Sequence, residues 1–169
     1  MPPPLRAAAA FGIAYRPMAD DDLPFIAALF ASTRADEVAM TGWPPELQQA
    51  FLAQQHGAQH LHYRKYYPHA EWLIVERGGE AIGRLYLDPS GAQQLLIDIS
   101  LVPWLRGQGI GGAILADVLD AAAAAGQSVS LHVERHNPAR RLYERLGFVE
   151  VEDTGVYLRM EWSPPAADQ

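Results

Sequence analysis

The chain has 169 residues, a formal net charge of −7, and 49% of its residues are hydrophobic. That length fits one domain with a full core and leaves little room for a second. The acidic balance argues against a general nucleic-acid binder, which needs a basic face, and the absence of cysteine excludes disulfides, thiolate nucleophiles and Cys-ligated zinc.

In chain order, residues 1–10 are rich in proline and alanine and read as a disordered N-terminal tail. Their short alanine run passes straight into Gly12-Ile13-Ala14-Tyr15-Arg16, so a signal peptide is not expected and the expected location is the cytoplasm. No stretch reaches the ~18–20 apolar residues of a membrane span. Phe11 to Met18 reads as a strand. Asp20-Asp21-Asp22 then offers capping groups to a helix that carries Leu23, Ile26, Ala27 and Phe30 on one face. Gly42-Trp43-Pro44-Pro45 breaks the chain, and Pro45-Glu46 opens a second helix running to about Tyr66.

Trp72 to Arg77 and Ala81 to Leu87 read as two strands around the hairpin signal Gly78-Gly79-Glu80. A third apolar strand follows from Leu95 to Val102. Gly109 to Ala125 is an alanine-rich helix that Gly126 ends. Val129 to Val133 is a strand, Asn137 to Leu146 a helix, and the last two strands run over about 149–152 and 156–162. The order βααβββαβαββ indicates an α/β layered domain with a mixed sheet, spanning 11–162 and followed by a tail over 163–169.

The segment Arg106-Gly107-Gln108-Gly109-Ile110-Gly111-Gly112 joins a strand to a long helix. Strand, tight glycine loop and helix together aim unpaired N–H groups at a phosphate, and glycine lets the backbone come close to an anion. Arg106 adds charge beside it. Gly107-Gln108-Gly109-Ile110-Gly111-Gly112 also fits the dinucleotide fingerprint G-x-G-x-x-G, with Glu134 near the expected acidic position. Against that reading, the loop comes after about a hundred residues, behind an apparent hairpin, with too little chain left for the usual six parallel strands.

The stretch from Leu101 to Gly111 resembles the acetyl-CoA motif of the GNAT acetyltransferase superfamily, whose core is R/Q-x-x-G-x-G/A. About thirty residues on, Asn137 to Phe148 resembles the second family motif, N-x-x-A-x-x-L-Y-x-x-x-G-F. The resemblance implies a single domain with a mixed, mostly antiparallel sheet of about six or seven strands flanked by about four helices. It also implies an N-acetyltransferase moving the acetyl group of acetyl-CoA to a primary amine by direct attack in a ternary complex. The acceptor would be a small-molecule amine or a protein or peptide amine, with no nucleic acid, membrane or metal involved and homodimerisation left open. The alternative is a catalytically inactive acyl-CoA-binding sensor or interaction domain of the same fold.

The resemblance also assigns roles. The backbone of Ser100, Leu101 and Val102 would pair with the pantetheine arm and polarise the thioester. Arg106, Gly107, Gln108, Gly109, Ile110, Gly111 and Gly112 would hold the diphosphate, and Asn137 would contact the cosubstrate. Tyr143 would stand near the sulfur as general acid.

Acyl transfer to an alkylamine needs a base, because such an amine is mostly protonated at neutral pH. His132 lies on the opposite strand face from Leu131 and Val133 and suits proton abstraction near neutrality. Asp98, a carboxylate inside Leu96-Ile97-Asp98-Ile99, is the second candidate, since it must find a partner or have a function. Glu37 and Trp43 fall where the family shapes its acceptor site, and Arg84 and Tyr86 are placed to face it. His56 and His60, four apart, lack an evident third metal ligand; with His62, Tyr63, Tyr66 and Tyr67 they give the second helix an aromatic character.

Overall fold

The computed structural model describes residues 1–166, so the last three residues of the expected C-terminal tail lie outside the described residues. Seven strands form one sheet in the order β1-β2-β3-β4-β5-β7-β6. They are β1 (Ile13–Pro17), β2 (Glu71–Arg77), β3 (Glu80–Asp88), β4 (Gln94–Leu101), β5 (Val129–Glu134), β6 (Val149–Asp153) and β7 (Tyr157–Trp162). Among the described residues there are four α-helices: α1 (Leu23–Ala39), α2 (Pro45–Tyr66), α3 (Ile110–Ala124) and α4 (Ala139–Arg145). The expected mixed, mostly antiparallel sheet is present, with β4 and β5 its parallel pair. No helix among the described residues is long and apolar enough to cross a membrane.

Strand alternation sorts the sheet into two faces. Leu73, Val75, Leu85, Leu87, Leu131, Val133, Leu158 and Met160 point to one of them and pack with Ile110, Ile114, Leu115 and Val118 of α3. Trp72, Ile74, Arg84 and Tyr86 point to the other, where α2 lies across them. Tyr63 of α2 packs against Trp72 and Tyr86, each with ring centroids 6.2 Å apart. Each of these rings buries a large apolar surface, which fixes α2 on the sheet.

The N-terminal segment differs from the expected disordered tail. The backbone N–H groups of Arg6, Ala7 and Ala8 donate to the carboxylate of Asp117, at 3.0, 2.8 and 3.0 Å. Asp117 sits on α3 and is 1% exposed. A buried carboxylate needs such donors, and it finds them about 110 residues away in sequence. Ala8 is fully buried in consequence, and the short 3-10 turn Ala8–Phe11 leads into β1.

One irregularity prepares the site. The β3–β4 register shifts between Tyr86 and Leu87, whose partners are Asp98 and Leu96, leaving Ile97 unmatched on β4. An extra residue of this kind bends and twists its strand. The pairing of β4 with β5 ends at the same point: Gln94, Leu95 and Leu96 pair with Val129, Ser130 and Leu131, and no later residue does. Beyond Leu96 the two central strands part.

Candidate active site

The parted strands leave the far half of β4 with one free edge. The Val102 N–H donates to the Ile82 carbonyl at 2.9 Å, so it points toward β3. Backbone groups alternate sides along a strand, so Ser100 also faces β3, while Ile99 and Leu101 face the gap. The expected trio Ser100, Leu101 and Val102 is thus divided between the two sides of the strand. Of these only Leu101 offers its N–H to the gap, and Ile99, which sequence reasoning missed, joins it. Alternation alone could not reveal this, because the side chain of Ile97 does not mark it as the bulged residue.

Just past this edge lies the N-terminus of α3. Its N-cap, Gly109, has φ +89°, and Gly107 before it has φ +72°, both in the left-handed region that favours glycine. No side chain caps the helix. Its first intrahelical bond of this turn runs from Ala113 N–H to the Gly109 carbonyl, so the N–H groups of Ile110, Gly111 and Gly112 have no helical partner. Unpaired N–H groups and the helix dipole together make an anion seat. Gln108 turns back to donate to the Trp104 carbonyl at 3.0 Å.

Arg106, expected beside the phosphates, has its side chain engaged within the protein. Its Nε donates to the Leu101 carbonyl at 2.9 Å and an Nη to Ser32 Oγ at 2.9 Å. It therefore ties the end of β4 and the helix α1 to the start of the loop. Asn137 likewise has a local use. Its Oδ1 accepts the Ala139 N–H at 2.9 Å, at the turn that leads into α4. From Ala139 to Phe148 the chain follows the second motif position by position, whereas Asn137 stands one residue nearer to Ala139 than the motif has it.

Tyr143 projects from α4 into the core and is 8% exposed, its ring edge-on to Phe148. Burial first, and then the negative charge of Asp98, push its phenol well above the ordinary tyrosine range. Its neutral, protonated form is thus favoured further.

On the other side of the sheet a cavity of about 530 Å³ lies between α1, α2 and the strands where β4 and β5 separate. His132, exposed on β5, lines it together with Tyr157, Arg34, Gln59, Tyr63 and Ile97. The catalytic candidates thus separate by environment. His132 opens onto the cavity. Asp98 does not stand free: its Oδ2 accepts from Arg84 at 2.5 Å and its Oδ1 from Ser100 Oγ at 3.1 Å. Both of its oxygens are thus engaged, one by a guanidinium and one by a hydroxyl.

Arg84, expected to face the acceptor, is 3% exposed and is spent on Asp98, on Gln59 (3.0 Å) and over the Tyr86 ring. Trp43 packs edge-on to Phe51, and Glu37 lies 3.6 Å from Arg34. Burial, and then the charge of Arg84, hold His56 below the ordinary histidine value; burial, Arg64 and Arg84 do the same to His60.

Residues 35–148 match the acetyltransferase (GNAT) family, and the chain belongs to it. It is 38% identical over 91 residues to an uncharacterized N-acetyltransferase, YhfO, of Bacillus subtilis. That match spans 49% of this chain and 60% of the relative. Among solved structures, the PaiA N-acetyltransferase of Thermoplasma acidophilum in complex with coenzyme A is similar, with TM-score 0.67 and 18% identity over 89% of this chain and 98% of that one. A spermidine N-acetyltransferase SpeG chimera from Vibrio cholerae and hSSAT gives TM-score 0.59 and 20% identity over 90% and 95%. At these identities the structural likeness establishes the fold.

Proposed function

We propose that this chain transfers the acetyl group of acetyl-CoA to a primary amine by direct attack in a ternary complex. The observation that carries the reading is the parting of β4 from β5 after Leu96 and Leu131. It sets a free strand edge between an uncapped helix N-terminus and a cavity. Those features fit acetyl-CoA: N–H groups of Ile110, Gly111 and Gly112 for the diphosphate, and the edge at Ile99 and Leu101 for the amides of its arm. When bound, acetyl-CoA supplies the activated acetyl thioester.

The chain's own groups then divide the work. A backbone N–H on the β4 edge holds the carbonyl oxygen as negative charge develops on it. His132 takes the proton of the incoming ammonium, so that the nitrogen lone pair is free to form the new N–C bond. As the C–S bond breaks, the Tyr143 hydroxyl gives its proton to the leaving sulfur; the second proton shed by the attacking nitrogen restores the phenol and His132 returns its proton to solvent, so the products are an amide, free CoA thiol and one proton.

The test combines calorimetric titration of acetyl-CoA with thiol release over an amine panel. Tyr143→Phe is expected to lower kcat by about ten- to a thousandfold, in keeping with general-acid contributions and partial rescue by water, with acetyl-CoA affinity unchanged. His132→Gln is expected to slow turnover with the same unchanged affinity. Binding without thiol release on any amine would instead support a sensor of the same fold. An unchanged kcat in Tyr143→Phe removes the phenol from the reaction.

A further inference from the structure

The cavity beside His132 has an unusual lining for an amine site. Phe30, Tyr63, Tyr67 and Tyr157 give it aromatic walls, and His62 and His132 add imidazoles. Among the described residues that line it, Arg34 is the one that carries a full charge, and none is a carboxylate.

Carboxylates that touch or adjoin lining residues are already paired. Glu134 lies two residues beyond His132 on β5, on the same face, and pairs in register with the wall residue Tyr157. Its Oε1 accepts from an Nη of Arg34 at 2.9 Å. The same nitrogen lies 3.6 Å from Glu37, a residue exposed to solvent. Beneath the cavity, Asp98 is held by Arg84 and Ser100. An acceptor with several ammonium groups needs an anionic partner for each one that leaves water. This cavity offers none, and its aromatic walls reward a flat apolar body.

Building on the acetyltransferase reading, we propose that the acceptor is an aromatic monoamine, and that Arg34 sets this choice by neutralising Glu134 at the cavity rim. The pair acts as a filter. With Arg34 in place, a second ammonium meets a guanidinium instead of a free carboxylate, and such like-charge juxtaposition disfavours the wrong partner. Arg34 is thus a specificity-determining residue that takes no part in proton transfer.

The experiment compares phenethylamine, butylamine and spermidine as acceptors with saturating acetyl-CoA. It is run on the wild type, on Arg34→Gln and on the double variant Arg34→Gln/Glu134→Gln. Wild type is expected to give the highest kcat/KM with phenethylamine and the lowest with spermidine. Arg34→Gln frees Glu134 and should raise kcat/KM for spermidine relative to phenethylamine by about tenfold, mostly through KM. The double variant should lose that gain, which a merely structural role for Arg34 would not produce.

Calorimetry of the same three amines on CoA-loaded protein reads the selectivity independently of turnover. Absence of thiol release with any amine would therefore overturn the acetyltransferase reading, while the calorimetry still decides the filter. Spermidine binding more tightly than phenethylamine to the wild type would overturn the filter, as would a spermidine-to-phenethylamine ratio that Arg34→Gln leaves unchanged.

Discussion

His56 is nearly buried on α2, its ring 5.7 Å from that of Phe30, and Arg84 lies close enough for its charge to disfavour a second cation. Burial and that charge keep its imidazole below the ordinary histidine value, so the folded state holds it neutral where the unfolded chain would protonate it. The sign follows directly. Above about pH 6.5 both states are neutral and the group contributes nothing; as pH falls through that value the unfolded state binds the proton first, and stability is lost. Urea denaturation between pH 8 and 5 should show wild type losing more stability toward acid than His56→Gln. Parallel curves for the two proteins would contradict the assignment. Tyr143 follows the same physics with the opposite charge type, since burial and Asp98 favour its neutral form, which is the protonated one.

At the scale of elements, two long-range ties hold the cosubstrate side together. Asp117 of α3 binds three consecutive N–H groups of the N-terminal segment, and Phe11, at the end of that segment, lies 3.5 Å from where a Cβ on Gly109 would stand. Arg106 ties the loop to β4 and α1. Asp117→Ala should therefore cost about 3 kcal/mol of stability, because a buried carboxylate with several charged hydrogen bonds is lost. Deleting residues 1–7 should cost a similar amount, and combining the two changes should cost little more than either, since they remove one interaction. Additive losses in urea denaturation would show that Asp117 has another task.

Much of this architecture is legible in the sequence where the signal is local. Pro45 opens α2 and Gly126 follows α3, so both helices are found nearly to the residue. Likewise the glycines from Gly107 to Gly112 mark the turn into α3, and the tyrosine of α4 is placed on its helix by the motif that carries it. The elements that stay hidden depend on partners far along the chain. The Asp117 clamp joins residues about 110 apart, and the Arg84–Asp98 pair needs the β3–β4 register. The bulge at Ile97 is silent because its apolar side chain is what any residue of that strand would carry. The sequence therefore offers His132 and, second to it, Asp98 as the base, and only register reveals that Asp98 is paired with Arg84.

For the whole molecule, the site resolves the apparent conflict between a net charge of −7 and an anionic cosubstrate. In the proposed reading, attraction is supplied locally by backbone N–H groups at the α3 N-terminus and needs no basic surface. If this helix end holds the diphosphate, a substitution at Gly111 reveals it with the least disturbance of the fold. Its φ is not in the left-handed region, unlike that of Gly109, and a Cβ there would meet only Leu101 Cδ1 at 3.9 Å, an ordinary contact. Gly111→Asp should therefore fold with near wild-type stability while placing a negative charge in the anion seat. Calorimetric titration of acetyl-CoA into the folded variant should show no measurable binding, with Gly111→Ala retaining more than Gly111→Asp. Wild-type acetyl-CoA affinity in folded Gly111→Asp would contradict the account.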